Sequence, residues 1–174
     1  MADSASADKR TRTGRAGHRT SAARLAAVQA LYEIDVTNAE PDAVVMEFME
    51  KRWRAVTLRD PDFTPGEGGK ARLPNPDEGF LRDLVDGVRN NLGEIDAQIE
   101  DALDGDWSLE RLDALMRTLF RASTYELLKL PNVPNYTVLS EYSDLAHTFF
   151  DEKEAKFAGG VLNKLAKLTR PEQK

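Results

Sequence analysis

Residues 108–130 read SLERLDALMRTLFRASTYELLKL, and their pattern of apolar residues indicates a helical fold. Its apolar side chains recur every three or four residues, which is the spacing of one face of an α-helix. Ser108 can cap the start of this helix, and Pro131 prevents it from continuing. The stripe consists of Leu109, Leu112, Met116, Leu119, Phe120, Ser123, Leu127 and Leu130. We therefore predict the longest amphipathic helix of the chain here, beginning near Ser108.

The same spacing recurs on both sides of this helix, and no segment alternates in the manner of a β-strand. Asp151 and Glu154 have the spacing of a capping box, which marks the start of the last helix. Further helices are predicted from Thr20 or Ser21 to about Asn38, from Pro41 to Trp53, from Phe80 to about Asn91, from Ile95 to Leu103, from Pro134 to Phe149 and from Asp151 to Leu168. With about seven helices and no strands, the class is all-α.

The length of 174 residues fits one helical domain with an extension. Residues 1–18 have no apolar periodicity and are predicted to be a disordered basic tail. The domain is predicted over residues 19–171. Within it, residues 57–77 are rich in proline and glycine, which is typical of a long flexible loop.

Composition excludes several classes of protein. The chain has no cysteine, so it has no disulfide scaffold and no thiolate metal site. It has neither an apolar run of the length of a membrane span nor a secretory signal pattern, and a cytoplasmic location is expected. The net charge of −6 divides into +4 over residues 1–24 and −10 over the remainder. A basic arm on an acidic body favours a polyanion for the arm and a basic partner for the body.

Catalytic and metal-binding patterns are weak. A serine triad needs a histidine beside the serine, and the two histidines are His18 and His147. His18 falls in the predicted tail, so the pattern gives a serine triad little support. Residues 66–71 only faintly resemble a phosphate-binding loop, because the hydroxyl residue after the lysine is missing. Glu141 and Asp144 share a helical face with His147, but a second such motif is absent. We expect no catalytic residue, no metal site and no cofactor.

Nucleic acid is the better hypothesis from the residues. Arg15, Arg19 and Arg24 lead into the first helix, and guanidinium groups suit phosphate and stack on bases. The last helix carries a series of cations near two aromatic residues, a combination that single-stranded nucleic acid uses. These residues are Phe149, Lys153, Lys156, Phe157, Lys164, Lys167 and Arg170. Both phenylalanines also fit the apolar stripes, so core packing explains them equally well. The acidic segment 94–113 is either a docking face for a basic protein or simply a solvated surface.

An ordered series of motifs resembles the NusB family of bacterial transcription antitermination factors. Arg24 followed by Ala27-Val28-Gln29-Ala30-Leu31-Tyr32 is similar to the family's first helix. The motifs that follow are Tyr125-Glu126-Leu127, Val133-Pro134, Ser140-Glu141, Leu145-Ala146 with Phe149, and Lys156-Phe157-Ala158-Gly159-Gly160-Val161-Leu162-Asn163 closing at Arg170-Pro171. The resemblance covers residues 19–171 apart from the loop 57–77.

The resemblance implies an all-helical fold of two packed three-helix bundles, and a protein that is not an enzyme and uses no cofactor. It implies binding to boxA RNA of ribosomal RNA leader transcripts together with NusE, a small-subunit ribosomal protein, and action on the RNA polymerase elongation complex. The residues that the resemblance implies for RNA are Arg24, Phe149, Lys156 and Phe157, and those for NusE are Glu110, Asp113 and Arg117. Arg15, Arg19 and Lys153 join the predicted RNA-binding set through their charge, although Lys153 stands where the family often has an acid.

Some positions depart from the family pattern. The arginines that usually stand just before the first-helix alanine are displaced upstream, and Thr20, Ser21 and Ala22 take their place. Gly159 stands where asparagine is common, and a Gly-Gly pair inside a helix indicates close packing or close approach of a ligand. Two alternatives remain, a helical protein-interaction adaptor and an accessory domain of an rRNA methyltransferase system. Formation of a homodimer also stays open.

Overall fold

The computed structural model describes residues 4–52 and 75–173, with side chains for residues 17–51 and 75–173. These residues form seven α-helices and no strand. The helices are α1 (Ser4–Thr37), α2 (Pro41–Glu47), α3 (Glu78–Asn90), α4 (Leu92–Ala102), α5 (Ala114–Lys129), α6 (Asn135–Phe149) and α7 (Glu152–Thr169). A π-helical turn, Phe48–Arg52, follows α2, and a 3-10 turn, Leu109–Arg111, precedes α5. The prediction of an all-α protein with about seven helices is confirmed.

The helices pack in two groups that share α5. In the first group α1 packs against α3, and α2 packs against both. In the second group α5, α6 and α7 pack against one another, and α4 lies on α5 and α7. Helix α5 also contacts α1 and α3, so it has neighbours on every side. Its burial extends to polar side chains, which include Thr118, Ser123, Thr124 and Glu126.

The start of α1 differs from the prediction. The helix begins at Ser4, whereas residues 1–18 were predicted to be a disordered tail. Seven of the fifteen residues from Ser4 to His18 are alanine, arginine or lysine, which favour the helical backbone without forming an apolar stripe. An apolar stripe reports on burial, so its absence does not argue against a helix. Ala22 is the first buried side chain of the described residues. The predicted loop 57–77 lies, up to residue 74, outside the described residues.

The start of α5 also differs from the prediction. Leu109 and Leu112 are buried as the apolar stripe requires, but the chain between them forms a 3-10 turn. The α-helix begins one turn later, because the Asp113 carboxylate accepts hydrogen bonds from the backbone N–H groups of Leu115 and Met116. Two competing caps stand in this sequence, Ser108 and Asp113, and the carboxylate is the one that caps the α-helix.

The start of α7 agrees with the prediction. The Asp151 side chain accepts from the Glu154 N–H, and the Glu154 side chain accepts from the Asp151 N–H, which completes the capping box. The helix ends at Thr169, before Pro171. Local sequence signals thus define where α7 begins and where it ends.

Gly87 is a point of close packing between α3 and α5. A Cβ atom on Gly87 would lie 2.1 Å from Cζ of Tyr125. The ring cannot retreat freely, because its hydroxyl donates to Oδ1 of Asp83 at 2.8 Å. Burial, reinforced by this hydrogen bond, raises the pKa of Tyr125 to about 12, so the hydroxyl keeps its proton.

We expect Gly87→Ala to lower the free energy of unfolding by about 1–3 kcal/mol through overpacking, measured by urea denaturation. Gly93→Ala is the matched control, because its Cβ meets nothing within 4 Å and a helical alanine is favoured over glycine. A Gly87→Ala protein as stable as the Gly93→Ala protein would show that α3 and α5 are not packed this closely.

Candidate nucleic-acid interface

Four lysines lie on the solvent side of α7 and form what we call the α7 lysine face: Lys153, Lys156, Lys164 and Lys167. All four side chains are exposed, while Val161, Leu162 and Leu165 of the same helix are buried. At 1.5 Å per residue, the face extends over about 21 Å along the helix axis. This length suits an extended polyanion better than a single small anion.

The lysines of this face are weakly engaged. Lys156 lies 3.5 Å from Glu152, and both side chains are more than 70% exposed. Lys164 pairs with Asp104 of the turn after α4. Lys153 and Lys167 have no ion-pair partner within the described part of the chain. Exposed pairs contribute about 0–1 kcal/mol, so phosphate groups can displace them at little cost.

An aromatic pair borders the lysine face. The half-buried Phe157 ring lies with its centroid 5.2 Å from that of Trp107 and 6.3 Å from that of Phe120. Phe157 therefore packs on the core, as its apolar stripe indicated, and is partly covered by Trp107. The Trp107 side chain is 51% exposed, so it presents the more accessible ring. Bases of single-stranded nucleic acid stack on such rings.

Sequence reasoning missed Trp107. The residue stands in an Asp-Gly-Asp turn outside every helical stripe, and Gly105 adopts a φ of +64° there. The ion pair between Asp104 and Lys164 ties this turn to α7. An aromatic residue in a polar turn next to a glycine is the signal that would have identified it.

Phe149, the other predicted aromatic, is also half-buried. It packs against the hydrophobic core at the end of α6, and its ring centroid lies 6.4 Å from that of Phe150. Its partial exposure leaves it usable by RNA, although packing already accounts for its presence.

Arg24 requires a correction, because its side chain is only 4% exposed. Its Nε and Nη2 atoms donate to the two carboxylate oxygens of Glu126 at 2.9 Å each. The guanidinium also lies 5.1 Å from the centre of the Phe80 ring and 3.7 Å from Glu141. These contacts leave no accessible donor for a phosphate group, so Arg24 joins α1 to α5 and α6 instead of facing RNA.

Glu126 is the centre of this buried polar cluster. It is fully buried and accepts from the Tyr142 hydroxyl as well as from Arg24. Burial would lower the pKa of Arg24, but the hydrogen bonds and charge of Glu126 outweigh it, and the pKa is raised. Burial raises the pKa of Tyr142, and the charge of Glu126 raises it further. Arg24 therefore stays charged and Tyr142 stays protonated, which satisfies the buried carboxylate.

Arg170 is also buried, and it is therefore not one of the surface cations. Its guanidinium donates to the carbonyl oxygens of Glu126, Leu127, Leu130 and Val133 at 2.6–3.0 Å. Burial lowers its pKa. Because unpaired carbonyls gather at a helix C-terminus, Arg170 acts as the cap of α5 and ties α7 to it.

The basic arm is described only in part. Arg19 is exposed on α1, and its carbonyl oxygen accepts from the backbone N–H of Asp77. The backbone of Arg15 belongs to α1, but its side chain lies outside the described residues. Arg19 is thus the one predicted arm residue that the structure places on the surface with its side chain described.

The residues predicted for the protein partner cluster around the start of α5. Glu110 is exposed in the 3-10 turn, and Asp113 caps α5. Arg117 is half-buried and donates to Oδ2 of Asp35 on α1 at 2.9 Å. Close to Asp35 along α1, Tyr32 is 39% and Val36 is 55% exposed. Exposed apolar side chains beside such polar groups are typical of protein interfaces.

The acidic segment 94–113 is less negative than its composition indicates. Glu94 pairs with Lys129 and Asp96 pairs with Arg121. Glu100 accepts from the backbone N–H of Leu109. These three acids are engaged within the fold, whereas Asp101, Asp106 and Glu110 are exposed without an ion-pair partner among the described residues and leave a negative surface for a basic partner.

No group of three potential metal ligands is found in the described residues, and Glu141, Asp144 and His147 do not form one. Residues 66–71, with their faint phosphate-loop pattern, lie outside the described part. No helix within residues 4–52 and 75–173 combines the length and apolar character that crossing a bilayer requires.

Comparison with known proteins gives a consistent result. The model of the NusB family matches residues 21–167. The transcription antitermination protein NusB of Bradyrhizobium sp. (strain ORS 278) is 37% identical over 164 residues, covering 94% of this chain and 91% of the relative. The protein of the same name from Caulobacter vibrioides (strain ATCC 19089 / CIP 103742 / CB 15) is 41% identical, covering 86% and 93%.

A solved structure gives the same match in three dimensions. It contains the antitermination factors NusB and NusE in complex with dsRNA. One of its chains superposes with a TM-score of 0.66 at 26% identity, over 85% of this chain and 96% of that one.

Proposed function

The chain belongs to the NusB family, and on that premise we propose that it is a transcription antitermination factor that binds boxA RNA of rRNA leader transcripts together with NusE. Bound to both, it joins the RNA polymerase elongation complex in the cytoplasm and helps it resist termination. It acts as a binding protein and not as an enzyme. The relatives' name and the solved complex of NusB with NusE and RNA support this proposal.

The α7 lysine face is the observation that carries the RNA proposal. It combines exposed cations with the accessible ring of Trp107, whose partner Phe157 lies one residue after Lys156. Lysines contact phosphate groups without reading sequence, and the aromatic ring stacks on a base. Arg19 and, further along the arm, Arg15 supply additional positive charge.

NusE is proposed to bind where α1 and the start of α5 meet. Arg117 and Asp35 bridge the two helices there, with Glu110 and Asp113 in front and exposed apolar side chains beside them. A second RNA-binding protein held at this point would raise the affinity for RNA through effective concentration. We expect boxA RNA to bind more tightly in the presence of NusE, and equal affinity would contradict this part of the proposal.

The RNA proposal is tested by filter binding of single-stranded boxA RNA at two salt concentrations. Three or four phosphate contacts predict a slope of about −2 to −3 in log K against log salt. Doubling the salt should therefore weaken binding roughly four- to eightfold. A double-stranded RNA of the same sequence should bind more weakly, because its paired bases cannot stack on Trp107.

Two outcomes would contradict the proposal. One is the absence of binding by the full chain at low salt, with NusE present. The other is binding that does not change with salt, which would remove the lysines from the interface. Either would leave the helical adaptor as the better interpretation.

A further inference from the structure

A surface groove lies between the start of α6 and the end of α7, at the opposite end of the α7 lysine face from Lys153. Tyr136, Leu139, Asn163, Ala166 and Lys167 line it, and its volume is about 480 Å³. This is the size of many small-molecule sites. The Tyr136 side chain is 76% exposed, so an aromatic ring stands open at the edge of a partly apolar groove, next to a cation.

Two glycines, Gly159 and Gly160, lie on α7 between Lys156 and the groove residue Asn163. Gly159, Asn163 and Ala166 follow one another at helical spacing and share one face. A Cβ on Gly159 or Gly160 would meet nothing within 4 Å. Helix packing therefore does not explain the glycines, although they weaken the helix. Their effect is to leave the α7 backbone open between Lys156 and Asn163, where a ligand strand can approach closely.

The side-chain amide of Asn163 is held in a fixed orientation in the groove. Its Nδ2 donates to the carbonyl oxygen of Gly159 at 2.9 Å, which orients the side-chain amide. The Oδ1 atom is then available as an acceptor for the edge of a base. Together with an aromatic ring and an ammonium group, this set provides contacts for the face of a base, the edge of a base and a phosphate group.

Building on the proposed function, we propose that the RNA strand follows the whole length of α7 and places one nucleotide in this groove. The base stacks on Tyr136, its edge meets Asn163, and its phosphate contacts Lys167. The groove adjoins the lysine face and carries the same charge, which favours a nucleic acid over a protein as its occupant.

The test measures the anisotropy of labelled boxA RNA extended by several nucleotides at each end. Tyr136→Ala should weaken binding by about fivefold or more, the lower end of the effect of a base–aromatic stack. Tyr136→Trp should keep wild-type affinity, because it keeps the stack. Leu168→Ala is the control, since Leu168 is 48% exposed on α7, the other helix that borders the groove, but does not line the groove.

A second variant separates binding from folding. Gly159→Ala should raise the melting temperature, because alanine favours helix and the added Cβ meets no atom. The same variant should weaken RNA binding if the strand passes over Gly159. A protein that is more stable and binds RNA as well as the wild type would contradict the proposed path.

The outcomes distinguish the two proposals. If Tyr136→Ala binds RNA normally while replacement of Lys153 and Lys156 abolishes binding, this inference is overturned and the proposed function stands. If Tyr136→Ala loses NusE and keeps RNA, the groove belongs to a protein and the inference is again overturned. If the wild-type chain binds no RNA, both fail.

Discussion

Replacing Arg24 by alanine is expected to lower the free energy of unfolding by about 3–5 kcal/mol, the usual effect of removing one partner of a buried ion pair. The loss leaves the fully buried carboxylate of Glu126 with the Tyr142 hydroxyl as its one remaining side-chain donor among the described residues. It also removes the guanidinium from the face of the Phe80 ring. Urea denaturation followed by circular dichroism measures the effect.

Arg19→Ala is the matched control for Arg24→Ala, because Arg19 is exposed on the same helix. It should change stability by less than about 0.5 kcal/mol, as surface substitutions usually do. Arg24→Lys should recover only part of the loss, since an ammonium group cannot bind both carboxylate oxygens as the guanidinium does. If Arg24→Ala remains as stable as the wild type but loses RNA, the residue faces RNA and the buried pair is wrong.

The second large effect is expected for RNA binding by the double variant Lys153→Glu/Lys156→Glu. At about 0.1 M salt, loss of two phosphate contacts to a single strand lowers affinity about 25-fold, and the repulsion by new carboxylates adds to this. The salt slope should become shallower by about 1.4 for the same reason. Both side chains are exposed, so the fold should not change.

The control for this variant changes the same charge elsewhere. Lys51→Glu/Arg89→Glu alters two exposed cations of the π-helical turn and α3, which have no ion-pair partner among the described residues, and shifts the net charge equally. It should reduce RNA affinity only by the long-range part of the field, which salt screens beyond about 10 Å. Equal losses in the two double variants would mean that net charge, and not the lysine face, governs binding.

Much of the fold was predictable because apolar spacing and capping residues report on helices directly. The stripe of α5 and the capping box of Asp151 and Glu154 are local signals, and both are present in the structure. The start of α5 was misplaced by one turn, because Ser108 and Asp113 are both able to cap. The extension of α1 to Ser4 was missed because helix propensity without burial leaves no stripe.

The candidate site was less predictable, since exposure and ion pairing depend on distant parts of the chain. Arg24 is a residue type that suits RNA binding, yet it is buried in an ion pair with Glu126. Glu126 lies 102 residues away in sequence, so no local pattern predicts this pair. Arg170 is likewise unavailable to RNA, because its guanidinium donates to carbonyl oxygens at the end of α5. Trp107 contacts Phe157 of α7 because of the turn in which it lies, and helical spacing of apolar residues does not predict the position of a turn residue.

Lysine footprinting of the wild-type chain shows whether RNA covers the α7 lysine face. Amine acetylation is compared with and without saturating boxA RNA, and the modified positions are mapped by mass spectrometry. We expect strong protection of Lys153 and Lys156, with Lys51 and Lys129 unchanged. All four lysines are exposed in the free protein, so each should react readily there. Equal acetylation of Lys153 and Lys156 in the RNA complex and in the free protein would contradict the account.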